Sequence, residues 1–97
     1  MRNSGGEPFL IRYHQRVITE DIISIPRNLL LTIQRAIETR LATAPDFYGQ
    51  PLRKPLSGLS KLRVSDYRVI FQIRANIVHV LIIGHRKDVY EQLLSRI

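Results

Sequence analysis

The 97-residue sequence contains no cysteine. Disulfide frameworks, thiolate metal sites, cysteine nucleophiles and iron–sulfur clusters are therefore excluded. The sequence also lacks a histidine pair at metal-ligand spacing, a P-loop, a dinucleotide-binding glycine motif and the serine elbow of hydrolases. Neither a metal ion nor a cofactor is expected.

Long apolar runs are missing as well. The longest, residues 77–84, is interrupted by His79 and is much shorter than the roughly 20 residues of a membrane span. The first residues lack the apolar core of a secretion signal. We therefore expect a cytoplasmic protein without membrane association. Residues 1–97 should form one domain, because a chain of this length rarely holds two cores.

Acidic residues are scarce in one half of the chain. The net charge is +7, and residues 47–87 carry eight basic side chains against one acidic side chain, Asp66. Residues 1–46 are close to neutral, with six basic and five acidic side chains. Such a concentration of positive charge favours binding to a polyanion, and nucleic acid is the abundant one in cytoplasm. The alternative is a basic face that is simply solvated.

The first half of the sequence predicts one strand and two helices. Residues 8–14 are short, apolar and aromatic after a Gly-Gly break, which is typical of a strand. Residues 19–25 could form a short helix that Pro26 ends. A longer helix is predicted from there to Ala44, because apolar side chains recur at steps of three and four. These are Leu29, Leu30, Ile33, Ala36, Ile37 and Leu41.

The second half changes from helical to strand periodicity after a predicted loop at residues 45–58. Lys61 and Arg63 would share one face of a strand, with apolar residues on the other face. Ser65-Asp66 is typical of a tight turn, and residues 67–74 alternate as the second strand of a hairpin.

The remaining residues predict a third consecutive strand and a last helix. Ala75-Asn76 would form the turn, with Asn76 taking a positive φ. Residues 77–83 are β-branched and apolar on both faces, as in an inner strand that Gly84 would end. Residues 88–97 predict a short helix. The order β-α-α-β-β-β-α predicts an α+β fold, with a helix pair packed on one face of a mostly antiparallel four-stranded sheet and the basic residues on the other.

Cations from different parts of this sheet should lie close together. Lys61 and Arg63 are on one strand and Arg68 on its partner, about 4.8 Å away. Arg86 and Lys87 follow the inner strand, just before Tyr90. Like charges at this spacing repel, so a phosphate that relieves the repulsion is a reasonable ligand. The alternative is that the long side chains extend into water and the aromatic ring packs on the sheet.

The segments LSKLRVSDYRVIFQI (59–73) and VLIIGHRKDVY (80–90) resemble the RelE/ParE toxin superfamily. This resemblance implies a RelE-like microbial RNase fold and a bacterial or archaeal toxin of a type II toxin–antitoxin module. It implies inhibition by a protein antitoxin, which we expect to be acidic or partly disordered. For the RelE branch it implies a metal-independent endoribonuclease that cuts mRNA in the ribosomal A site.

The resemblance also assigns site residues. Arg68 matches the arginine that stabilises the transition state, Arg86 the phosphate-binding arginine, and Tyr90 the aromatic residue that stacks on or orients the substrate base. Lys61 completes this catalytic set. The other cations of the same half are expected to contribute to RNA binding: Arg53, Lys54, Arg63 and Lys87.

The general base is open at this point. Leu59 stands where well-studied bacterial members have a second lysine. A lysine is ordinarily charged at neutral pH, so Lys61 has an alternative in His85, because imidazole titrates close to neutrality.

Two other functions fit the same resemblance. A ParE-like protein would bind and poison DNA gyrase without nuclease activity, and a degenerate member would only bind its antitoxin. An apolar seam near Val89, Leu93 and Leu94 is the expected antitoxin site. Retention of Lys61 together with the two arginines and the tyrosine favours the nuclease.

Overall fold

A computed structural model describes residues 8–97 of the chain. Its strands are β1 (Leu10–Tyr13), β2 (Gln50–Pro51), β3 (Ser60–Val64), β4 (Tyr67–Arg74) and β5 (Ile77–His85). Its α-helices are α1 (Arg27–Ala36), α2 (Pro45–Tyr48) and α3 (Val89–Leu93). Two π-helical segments, Val17–Asp21 and Ile37–Leu41, and one 3₁₀ segment, Ile22–Ser24, complete the helical layer. Within residues 8–97, no helix has the length and apolar character needed to cross a membrane.

All strands belong to one five-stranded sheet in the order β1-β5-β4-β3-β2. β1 runs parallel to β5, and the other neighbours are antiparallel. The predicted α+β class with a mostly antiparallel sheet is therefore confirmed. The predicted count of four strands is one too low, because β2 lies in a stretch that the sequence pattern assigns to a loop.

The helical layer follows the predicted periodicity. α1 continues into the π-helical segment Ile37–Leu41, so the predicted helix over residues 26–44 forms but ends earlier. Its apolar stripe packs into the main core, where Ile33 and Ile37 are 1% exposed. The short helix predicted at residues 19–25 begins earlier, with the segment Val17–Asp21. Pro26 separates these helical segments from α1, because proline cannot continue a helix that precedes it.

The predicted loop at residues 45–58 contains more structure than its prolines and glycines suggest. Pro45 is the first residue of α2, because its fixed φ suits the first turn of a helix. Gly49 then passes so close to Phe71 that a Cβ at this position would overlap its ring. The absence of a side chain therefore lets the chain continue into β2, which pairs with β3.

The two hairpin turns form where they are predicted, but in the second turn a different residue from the predicted one has the positive φ. Ser65 has a φ of 55° in the turn between β3 and β4. In the next turn Ala75 has a φ of 53°, so the prediction that Asn76 takes the positive φ is wrong. Asn76 instead accepts a hydrogen bond from the N–H of Leu10 through its carbonyl oxygen, at 2.9 Å.

A bulge at Leu81 divides β5 into two parts. Ile70 pairs with Ile82 and Phe71 pairs with Val80, so Leu81 has no partner on β4. Because side chains alternate along a strand, one extra residue exchanges the two faces for everything beyond it. β5 also runs through Gly84 to His85, and the prediction that Gly84 ends the strand is wrong.

The second face of the sheet is not an open basic surface. α3 covers part of it and encloses a small core of Leu59, Ile70, Ile82, Val89 and Leu93. The basic residues expected on this face lie there, but they border a second apolar cluster. Their backbone is consequently held between a core on each side of the sheet.

The phenol of Tyr13, at the end of β1, predicts a pH effect on stability. Burial and the nearby carboxylate of Glu38 raise the pKa of Tyr13 above its ordinary 10.0. The unfolded chain therefore loses this proton first as the pH rises, which favours unfolding. We expect the unfolding temperature of the wild type to fall more steeply above about pH 10 than that of Tyr13→Phe. Thermal unfolding followed by circular dichroism tests this, and parallel curves would contradict it.

Candidate active site

Five side chains from four parts of the fold line one open cavity of ≈ 470 Å³. They are Lys61, Arg68, Arg86, Lys87 and Tyr90. β3 and β4 contribute one residue each, the connection after β5 contributes two, and α3 contributes the ring. All four residues assigned to the catalytic set from the sequence lie in this group, together with one of the four assigned to RNA binding.

Arg68 is the most constrained cation of the cavity. It is 9% exposed, and its Nη1 donates to the carbonyl oxygens of Ser65 at 3.1 Å and Tyr67 at 2.9 Å. Two bonds from one nitrogen fix the plane of the guanidinium. Within the described chain the Nε and Nη2 hydrogens remain unused, so they can serve an anion in the cavity.

Gly84 leaves room for α3 to pack against the sheet beside Arg68. The two residues are opposite each other on neighbouring strands, and opposite residues point to the same face. A Cβ on Gly84 would lie 3.2 Å from two side-chain carbons of Val89. Glycine thus allows α3 to pack close to the sheet beside the arginine. In the sequence this role has only a weak signal, a glycine within an apolar strand.

Arg86 is held at the cavity by two contacts with Asp66. Its N–H donates to the carbonyl oxygen of Asp66 at 2.8 Å, and its Nε lies 3.6 Å from Asp66 Oδ1. Both side chains are more than half exposed, so this ion pair contributes little to stability. The backbone bond nevertheless ties the end of β5 to the turn before Arg68. The sequence pattern indicates Asp66 only as a turn residue and gives no signal of its contacts with Arg86.

Lys61 is half-buried in the middle of β3, on the same face as the cavity. Its neighbour on the outer side is Gln50 of β2, which is its partner in the strand register. Arg63 is opposite Arg68 and exposed. It shares the face of the cavity but does not line it.

Tyr90 lies on α3, one residue after the buried Val89. Val89 and Leu93 are both fully buried against the sheet, while Leu94 is 61% exposed. The predicted antitoxin seam of these three residues is therefore corrected, because two of them are covered by the protein's own sheet. Their burial instead orients α3 so that the neighbouring Tyr90 borders the cavity.

His85 lies outside the cavity. Beyond the bulge it is opposite Tyr67, and the two rings meet edge to face with centroids 5.6 Å apart. Its Nδ1 accepts the N–H of Lys87 at 3.2 Å. The structure therefore does not bring the alternative base together with the catalytic set.

Arg53 and Lys54 are exposed in the connection between β2 and β3 and do not line the cavity. The four cations that do line it have few compensating charges: in residues 8–97, Arg86 alone among them forms an ion pair. In the same part of the chain no group of three or more histidine, aspartate or glutamate side chains could hold a metal ion. Fixed cations beside one aromatic ring are suited to binding a phosphate together with an attached base.

Comparison with known sequences gives a family match over most of the chain. The sequence model described as "ParE toxin of type II toxin-antitoxin system, parDE" matches residues 11–90. Toxin RelG of Mycobacterium tuberculosis (strain ATCC 25618 / H37Rv) is 26% identical over 87 residues, which cover 88% of this chain and 99% of that protein.

Solved structures give the same fold. The toxin–antitoxin complex RelBE2 from Mycobacterium tuberculosis matches with a TM-score of 0.75 and 26% identity, over 81% of this chain and 99% of that chain. The RelB-RelE antitoxin–toxin complex from Methanococcus jannaschii matches with a TM-score of 0.56 and 15% identity, over 82% and 95% of the two chains. The second likeness supports the fold alone.

Proposed function

The chain belongs to the ParE toxin family of type II toxin–antitoxin systems, and we propose that it inhibits translation by cleaving mRNA on the ribosome. The observation that carries this proposal is the joint position of Lys61, Arg68, Arg86 and Tyr90 around one cavity. Binding a protein target such as gyrase would not need two guanidinium groups, a lysine and a ring around one space. Phosphoryl transfer without a metal ion can use such a set, because fixed cations stabilise the charge that develops on the phosphate.

The proposed reaction is an attack of an RNA 2′-oxygen on the adjacent phosphorus. The bond from phosphorus to the 5′-oxygen of the next nucleotide breaks, which leaves a 2′,3′-cyclic phosphate and a 5′-hydroxyl. Negative charge increases on the nonbridging oxygens during the attack. Arg68 and Arg86 would stabilise it, and Arg68 does so with a guanidinium whose orientation is already fixed.

Two proton transfers complete the reaction: one proton leaves the attacking 2′-oxygen for a base in the cavity, and the departing 5′-oxygen takes one from solvent water, which reaches the open cavity. We assign the first transfer to Lys61, because it lies on a rigid strand within the cavity, whereas Lys87 is in an exposed connection. Tyr90 would stack on or orient the base beside the scissile bond. His85 has no part in this scheme, since its ring packs on Tyr67.

The proposed partners are a cognate antitoxin, the ribosome and mRNA. The antitoxin is supported by the RelBE2 complex named above, in which the matching toxin is bound to an antitoxin. Exposed cations outside the cavity, which include Arg53, Lys54 and Arg63, would bind the RNA backbone without reading its sequence.

Expression of this chain without an antitoxin should stop growth and produce new 5′ ends within translated mRNA. Mapping the 5′ ends of cellular mRNA after induction measures this. Incubating the purified protein with mRNA, with and without ribosomes, then tests the dependence on the ribosome. Cleavage of mRNA at the same rate without ribosomes would contradict the dependence on the ribosome, although the protein would still be a nuclease.

The match to a ParE family model favours one second candidate, a gyrase inhibitor without nuclease activity. Intact mRNA together with trapped gyrase–DNA complexes in the same cells would replace the nuclease proposal with this one. Intact mRNA with normal growth would instead indicate a member that only binds its antitoxin.

A further inference from the structure

Asp21 and Arg96 form a buried ion pair between two distant parts of the chain. Arg96 Nη2 lies 2.6 Å from Asp21 Oδ1, and Nη1 lies 2.8 Å from Oδ2, which is the bidentate geometry of a strong pair. The side chains are 3% and 6% exposed. Since burying both ions costs solvation free energy, such a pair specifies one arrangement of the chain more than it adds net stability.

Both ions also bind the backbone of β5 just past the end of β1. β1 pairs with β5 only as far as Val80. Beyond it, Asp21 Oδ2 accepts the N–H of Ile83 at 2.9 Å, and Arg96 Nη1 donates to the carbonyl oxygen of Leu81 at 3.0 Å. Leu81 is the bulge residue, which has no partner on β4. The ion pair therefore takes the place of a neighbouring strand at this edge.

The pair fixes the segment that follows α3. This helix has five residues, too few to be stable alone. Val89 and Leu93 determine which side of the helix faces the sheet. Two contacts on one side of so short a helix do not fix the angle of its axis to the strands. Arg96 restrains the far end, and Arg16 Nη1 adds a weaker contact to Ser95 Oγ at 3.4 Å. The position of Tyr90 at the cavity follows from both restraints.

We propose that Asp21 is a positioning residue, which acts through Arg96 to hold α3 where Tyr90 can orient the substrate. The inference rests on the proposed nuclease function and adds to it a residue that lies outside the cavity. Misplacement of a substrate-orienting group by about 1 Å can cost on the order of 100-fold in rate, so the effect should be measurable.

The test compares Asp21→Asn with Glu20→Gln. Both replace a carboxylate by an amide at neighbouring positions, but Glu20 forms an exposed pair with Arg16 instead of a buried one. We expect Asp21→Asn to lower the ribosome-dependent cleavage rate about 10- to 100-fold at saturating mRNA, and Glu20→Gln to leave it unchanged. The amide hydrogens of Gln92 and Arg96, which bond within the C-terminal segment, should exchange faster in Asp21→Asn only.

A second background separates positioning from general destabilisation. In Tyr90→Ala the loss from Asp21→Asn should disappear, because the proposed route from Asp21 to the reaction runs through Tyr90. The same loss in both backgrounds, or equal activity of Asp21→Asn and Glu20→Gln, would overturn the proposal. Should Asp21→Asn not fold, Arg96→Lys replaces it, since lysine keeps the charge but not the bidentate fork.

The two proposals fail differently. A wild type that cleaves no mRNA refutes the nuclease, and the amide exchange then decides alone whether Asp21 holds α3. Unchanged exchange in Asp21→Asn would refute that role as well, whereas faster exchange would support it.

Discussion

Arg68→Ala and Arg86→Ala will each lower the rate of mRNA cleavage on ribosomes by about 100- to 1,000-fold, the loss typical when one fixed donor to a developing oxyanion is removed. Arg68 and Arg86 both line the cavity, so each variant leaves one guanidinium where the proposed reaction uses two. Arg68→Ala should have the larger effect, because its side chain is oriented by two carbonyl oxygens before substrate binds. Cleavage of a defined mRNA in a purified translation system measures both.

Arg74→Ala is the matched control for this prediction. Arg74 is an exposed arginine on the same strand and face as Arg68, but six residues further along, which is about 20 Å in an extended chain. The substitution Arg74→Ala removes the same charge without changing the lining of the cavity. Equal losses in Arg68→Ala and Arg74→Ala would show that total positive charge matters and that the cavity does not. Circular dichroism of each variant establishes that the fold is kept.

Phe71→Ala will destabilise the fold by about 3–5 kcal/mol. Phe71 is the largest of the fully buried side chains, and it contacts the main core on one side and the backbone at Gly49 on the other. The surrounding strands cannot collapse into the space, because they are paired on both sides of β4. A total stability of about 5–15 kcal/mol is usual for a domain, so this single change should remove a large part of it. Urea unfolding gives the value.

Phe47→Ala makes the same substitution at an exposed position. Phe47 is 78% exposed and touches Tyr48 edge to face. Its replacement should change the free energy of unfolding by no more than about 0.5 kcal/mol. A loss at Phe47 as large as that at Phe71 would contradict the assignment of the core to the space between α1 and the sheet.

The periodic elements could be predicted from the sequence because each has one apolar face. α1 repeats its apolar residues with a helical period, and β4 places Val69, Phe71 and Ile73 on one face. The bounds of β4, Tyr67–Arg74, coincide with the predicted ones. β2 could not be found this way. It has only two residues, and it exists because β3 offers an open edge next to it, which is a property of the assembled sheet.

The residues of the candidate site also divide into those whose neighbours could be predicted from the sequence and those whose neighbours could not. Lys61 and Arg68 could be placed together, because they belong to consecutive strands of a hairpin whose register follows from its turn. The contacts of Asp21 and Arg96 could not be predicted, since the two residues are far apart in sequence. They come together beside the part of β5 that β1 does not reach, beyond Val80.

The bulge at Leu81 sets a condition on any alignment of related toxins. Before it, even-numbered positions of β5 point to the helices, as Val80 does; after it, odd-numbered positions do, as Ile83 does. A homologue that lacks the bulge residue keeps the same faces with the glycine and the histidine in the same order, because a regular strand passes directly from the position of Val80 to that of Ile82. Aligning such chains residue by residue through the strand would therefore pair groups that face opposite sides of the sheet, and a gap at the bulge is the structurally correct solution.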